Sequence, residues 1–202
     1  SFGNVRALDD ADFDIYPGEV VALIGDNGAG KSTIFNLISR LYEPLSGRIT
    51  FDGTDITDLP AHDIAKLGIA RTFQNIELFD HSSVLQNLLI GRHSQRSTSW
   101  IQDLLFSPKV RRSEREHRMH VEKIIDFLEL APYRDQLIAG LPYGIRKVVE
   151  IARALAANPK LILLDEPASG LSVEETSEMA WWIEDMQKDL GLTILMVEHD
   201  MS

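Results

Sequence analysis

Cysteine is absent from the 202 residues, which excludes disulfides and thiolate metal ligands. No stretch approaches the ~18 consecutive apolar residues of a helical membrane span, so none of this sequence is expected to cross a bilayer. The start lacks the basic, then apolar, then small-residue order of a secretory signal. An excess of positive charge is missing too: 20 Lys and Arg stand against 31 Asp and Glu, a net charge of −11. Such a surface repels phosphate backbones, so nucleic acid is not an expected partner. Repeats and low-complexity tracts are also lacking. The sequence opens and stops abruptly and reads as one domain trimmed at both ends.

What is present is ordinary globular material, 44% hydrophobic and 25% charged, which excludes a wholly disordered chain. The charge is uneven. Residues 92–118 hold seven Lys and Arg against three Asp and Glu. A solvated helix face is the expected reading, and a surface for lipid headgroups or a partner is the alternative.

Periodicity organises the chain. Residues 20–24 read as a strand, 25–30 as a glycine-rich loop, and 31–41 as a helix with Ile34, Leu37, Ile38 and Leu41 on one face. Residues 49–51 and the Asp52-Gly53 pair predict a hairpin. A short helix is expected over 60–67, ended by Gly68, then a strand over 69–73. The middle is helical, over 83–90 and 114–130, with a loop at 94–99. A third amphipathic helix, 144–157, turns Val148, Ile151, Ala152 and Leu155 inward and is stopped by Asn158-Pro159. Residues 161–164 are wholly apolar, as a buried parallel strand requires. A helix over 174–190 and a strand over 193–197 follow. Strands alternating with helices imply an α/β fold with a parallel sheet covered on both faces.

The chemistry concentrates at strand ends. Gly25, Asp26, Asn27, Gly28, Ala29, Gly30, Lys31 and Ser32 fit G-x-x-x-x-G-K-[ST], between a strand and a helix. In that setting backbone N–H groups close around phosphate oxygens, and the helix N-terminus adds partial positive charge. Lys31 would bridge β- and γ-phosphates, and Ser32, with Thr33 beside it, would present a hydroxyl to Mg²⁺. Asp165 and Glu166 emerge at the C-terminal end of the apolar strand, where open parallel sheets bind ligands. Asp165 would hold Mg²⁺ and Glu166 would polarise an attacking water. Gln74 ends the 69–73 strand, either as a cap or as a neutral amide that ligates Mg²⁺ or orients water. His199, just past the last strand, could hydrogen-bond a γ-phosphate oxygen. Leu141, Pro142, Tyr143, Gly144 and Ile145 form a loop before a helix, whose start offers backbone donors to an anion. His117 and His120 have no thiolates nearby and lie in a basic region, so a metal is not expected there. Met179, Met186 and Met196 read as packing residues. Trp181 and Trp182 cannot share one helix face, so one is expected in the core and the other at an interface.

The order of phosphate loop, Gln74, LPYGIRK at 141–147, Asp165-Glu166 and His199 resembles the nucleotide-binding subunits of ATP-binding cassette (ABC) transporters. The likeness spans essentially the whole chain. ARTFQ at 70–74, QNLLIG at 86–91, PYG at 142–144, VEIARAL at 149–155 and VEHDM at 197–201 look most like the branched-chain amino-acid importer branch. The lipopolysaccharide-export branch is the nearest alternative, and a non-transport ABC protein is a more distant one. The resemblance implies a P-loop NTPase core (residues 1–74 and 146–202) with an antiparallel N-terminal β subdomain. It also implies an inserted α-helical subdomain over 75–145. Further implications are ATP and Mg²⁺ as cofactors, Phe2 stacking on adenine, and residues 141–147 as the signature that completes a partner's ATP site. The implied partners are a second ATP-binding subunit, transmembrane permease subunits and, indirectly, a solute-binding protein, at the cytoplasmic face of the cell membrane. A permease helix would dock beside 76–84, where Leu78, Phe79 and Val84 are apolar. Pro142, Tyr143 and Ile145 depart from the family's LSGGQ, and Ser172 stands where the family's D-loop has Asp.

Overall fold

Four apolar residues lead into Asp165, and the strand they form, β5 (Leu161–Asp165), is buried along its whole length. A strand can be so only with neighbours on both edges and cover on both faces. The computed structural model, which describes residues 8, 10–26, 28–73, 76–92 and 108–198, supplies the neighbours. The strands β1 (Val20–Ile24), β6 (Thr193–Glu198), β5 and β4 (Ile69–Arg71) lie side by side in that order, all parallel. On one face Leu161, Leu163, Leu195 and Val197 pack with Phe35, Ile56, Ile64 and Ile69. Alternation sends Ile162, Leu164 and Ile194 to the other face, also fully buried.

The chain divides into two compact units, Ser1–Gln74 with Pro159–Ser202, and Asn75–Asn158. In the first, the phosphate-loop helix α1 spans Lys31–Ile38 and ends earlier than its periodicity suggests. Arg40 adopts a left-handed φ of 58°. The N–H groups of Arg40 and Leu41 reach back to the Leu37 and Asn36 carbonyls, a Schellman stop without glycine. Leu41 therefore lies exposed beyond the helix, and the buried face centres on Phe35 rather than on the expected four aliphatics. Strands β2 (Thr50–Phe51) and β3 (Thr54–Asp55) pair antiparallel around Asp52-Gly53, at φ 49° and 75°. Two positive φ values define the type I′ turn that this dipeptide favours. Helix α2 (Ala61–Leu67) ends at Gly68, φ 102°.

The second unit holds α3 (Val84–Arg92), α4 (Pro108–Phe127) and α5 (Tyr143–Ala156), with short 3-10 turns at Ala131–Tyr133 and Ile138–Gly140. Helix α5 packs on α3 and α4. The helical unit therefore runs to Asn158, whereas the sequence reading closed it at residue 145. Val148, Ile151, Ala152 and Leu155 are buried as their spacing requires. Val84, expected on an open docking surface, is instead fully buried. In the basic segment, Arg112 and Arg118 pair with Glu116 and Glu122 one turn on. Arg92 Nε donates to His117 Nδ1 at 3.0 Å. Burial, then the nearby Arg92 charge, pushes the His120 imidazole below its ordinary value.

Helices α3 and α5 touch closely at Gly91. A Cβ built there would stand 2.3 Å from the Arg153 carbonyl oxygen. Gly91→Ala should therefore cost about 1–3 kcal/mol, since backbone rather than a flexible tip must yield. That corresponds to a fall of roughly 3–10 °C in Tm. Gly140→Ala, with nothing within 4 Å of its Cβ, is the control. Equal melting of the two variants would mean that the helices part without strain.

In the first unit, α6 (Val173–Leu190) buries Met179, Ile183 and Met186 on one face. Trp181 is 63% exposed and Trp182 half-buried, so neither tryptophan is fully in the core. Met196 is half-buried. Ser172 caps α6: its hydroxyl accepts from the Glu175 N–H, and the Glu175 carboxylate accepts from the Ser172 N–H at 2.9 Å. This capping box gives the serine a structural reason at its position.

Candidate active site

Parallel strands release their chains at one edge. The register sets Ile24 beside Glu198, and Val197 beside Asp165. The glycine loop after β1, the Asp165-Glu166 turn after β5, the residues after β4 and the C-terminal end of β6 therefore lie at the same end of the sheet. Gln74, His199, Asn27 and Phe2 lie outside the described residues.

The loop between β1 and α1 is shaped by Gly28 and Gly30, at φ 86° and 90°. These values favour glycine because a Cβ is strained there. The Ala29 N–H donates to the Asp26 carbonyl at 3.1 Å. Gly30 caps α1 without any side-chain hydrogen bond, and no acidic residue occupies the first turn. The helix start thus has no carboxylate competing for its N–H groups. Lys31 is buried, and its Nζ donates to the carbonyls of Gly25 and, at 2.9 Å, Asp26. An ammonium curled into a loop at a helix N-terminus without carboxylates is a site for an anion such as phosphate. Ser32 is exposed on the first turn and Thr33 half-buried.

Asp165 is buried and paired with Arg71, Nη2 to Oδ2 at 3.0 Å. Its N–H lies 3.3 Å from Thr72 Oγ1. Arg71 was not among the residues singled out from sequence. Its signal was a cation inside the apolar run 69–73, which needs a buried counter-charge. Glu166 is buried at φ 51°, uncommon for a residue with a Cβ, and its N–H donates to the Val197 carbonyl at 3.1 Å. Backbone held in a sparsely populated region gathers at functional sites.

Among the described residues no group of three or more His, Asp or Glu could hold a metal by itself. Mg²⁺ typically takes one or two carboxylates and completes its shell with water and substrate phosphates. Asp165 and the Ser32 hydroxyl offer oxygen ligands of the required kind.

In the helical unit, Pro142 is the N-cap of α5, with no side-chain cap and no acidic first turn. Pro142 and Tyr143 are exposed, Ile145 is half-buried, and Leu141 and Gly144 are buried. The Arg146 N–H closes the first turn on the Pro142 carbonyl at 3.0 Å.

The sequence matches the ABC transporter family over residues 8–169. It is 36% identical over 200 residues to the high-affinity branched-chain amino acid transport ATP-binding protein BraF of Pseudomonas aeruginosa, covering 99% of this chain and 78% of BraF. The fold superimposes on the ADP conformation of an ATP-binding cassette of an ABC transporter with a TM-score of 0.85, at 34% identity. That match covers 100% of this chain and 78% of that one. A dimeric, post-hydrolysis cassette bound to ADP and phosphate gives 0.77 at 27% identity, covering 96% and 81%. With the phosphate loop and the Asp-Glu strand at one sheet edge, this chain belongs to the ABC transporter family, as an ATP-hydrolysing ATP-binding subunit.

Proposed function

We propose that this chain powers uptake of branched-chain amino acids. In this reading it sits at the cytoplasmic face of the membrane with a second ATP-binding subunit, transmembrane permease subunits and, indirectly, a solute-binding protein. The observation carrying the reading is near-complete coverage by a relative with that transport role. Among the described residues no helix is long and apolar enough to cross a membrane, and in this reading the permease subunits form the channel.

Lys31 and the loop N–H groups hold the β- and γ-phosphates. Ser32 and Asp165 would hold Mg²⁺, with Gln74 as a further oxygen donor. Bound there, Mg²⁺ neutralises the phosphate charge that attack would otherwise meet. Glu166 accepts hydrogen bonding from the attacking water and draws off its proton, while His199 steadies a γ-phosphate oxygen. Residues 141–145 face the nucleotide of the second subunit. There Pro142 supplies neither hydroxyl nor N–H, leaving the start of α5 as the donor.

Coupling rests on Phe79, 52% exposed and rigidly held. Its N–H donates to Asn87 Oδ1 at 2.9 Å, and Asn87 Nδ2 returns a bond to the Phe79 carbonyl at 3.2 Å. An exposed aromatic on a pinned backbone suits docking of a permease helix. Phe79→Asp should lower ATP-dependent leucine uptake about tenfold or more in proteoliposomes carrying the whole assembly, with basal hydrolysis unchanged. Crosslinks from the permease to Trp181 instead would move the docking surface. Hydrolysis without uptake of leucine, isoleucine or valine by the wild-type assembly would overturn the substrate assignment.

A further inference from the structure

Arg71 is held on several sides by residues from three parts of the first unit. Nη2 donates to Asp165 Oδ2 at 3.0 Å. Nη1 donates to Asn36 Oδ1 at 2.7 Å and Ser39 Oγ at 3.0 Å, both at the far end of the helix that Lys31 opens. The rings of Phe35 and Phe73 lie 5.5 and 5.2 Å from the guanidinium carbon, within cation–π range. The Arg71 Nε is buried without a hydrogen-bond partner among the described residues. The arrangement ties the Asp165 carboxylate to the phosphate-loop helix. A lysine could not hold these partners in the same fixed geometry, because its donors share one nitrogen instead of a planar fork of three.

We infer that Arg71 is a positioning residue for the divalent cation: by gripping Oδ2 it fixes the Asp165 carboxylate relative to α1, so that its remaining coordinating capacity faces the metal-nucleotide. The inference rests on the Mg²⁺-ATP reading above. Groups that orient a metal ligand typically change metal affinity 10- to 100-fold when removed.

The test is equilibrium binding of a fluorescent ADP analogue at increasing Mg²⁺, and again in EDTA. Arg71→Lys keeps the buried charge and loses the fork. The Mg²⁺ concentration for half-maximal enhancement should rise about tenfold, while affinity in EDTA stays within about twofold. Asn36→Ala with Ser39→Ala leaves the Asp165 pair but frees the other side of the guanidinium. It should shift the Mg²⁺ requirement in the same direction by less, and it decides the matter if Arg71→Lys fails to fold. An unchanged or lowered requirement in the folded variants overturns the inference, as does an equal loss of affinity in EDTA, which would make Arg71 mere support for α1. Absence of any Mg²⁺ enhancement in the wild-type protein would instead sink the underlying Mg²⁺-ATP reading.

Discussion

Glu166→Gln is expected to bind ATP as the wild type does and to hydrolyse it at least about 100-fold more slowly, the ordinary contribution of a positioned general base. The substitution keeps size and shape, which matters because Glu166 is buried and its backbone is already in the left-handed region. It removes the negative charge and with it the capacity to accept a proton. The Glu166 N–H bond to the Val197 carbonyl is backbone and survives. Folding should therefore be spared, with an unfolding midpoint close to the wild type's. ATP that is bound but not consumed should also hold two cassettes together, visible as a dimer by light scattering. Phosphate release within about threefold of wild type would remove Glu166 from the role of base.

Lys31→Ala should act at the earlier step. Its ammonium is the buried cation of the phosphate loop, satisfied by the carbonyls of Gly25 and Asp26. An incoming phosphate gains a charged donor already inside the loop. A hydrogen bond to a charged group is worth about 1.5–3 kcal/mol, or roughly 10- to 150-fold in affinity. Equilibrium titration with a nucleotide analogue should therefore show a loss of that size, with hydrolysis falling because the site is empty at ordinary ATP concentrations. The two variants separate cleanly: one binds without turning over, the other turns over little because it binds little. Binding by Lys31→Ala within about threefold of wild type would mean that the loop N–H groups suffice for the phosphates.

Much of this molecule is written in neighbouring residues. The glycines of the phosphate loop, the Asp52-Gly53 turn and the Gly68 stop announce themselves because each needs a backbone angle that glycine or a short polar residue tolerates. The wholly apolar approach to Asp165 could belong only to a strand buried on both faces, so the site's two best-marked segments were readable at once. Short-range chemistry is sufficient for such features.

Other features depend on residues far apart in the chain. Leu41 carries helical spacing, yet the Schellman stop at Arg40 leaves it outside the helix, and Phe35 takes the core position. Val84 looked like surface until α3 packed it away. Arg71 and Asp165 lie 94 residues apart, and they meet because β4 and β5 are neighbours in the sheet. Periodicity says which residues form strands and which face is apolar. It does not say that β6 inserts between β1 and β5, because strand order is settled by long-range packing, which local spacing does not encode.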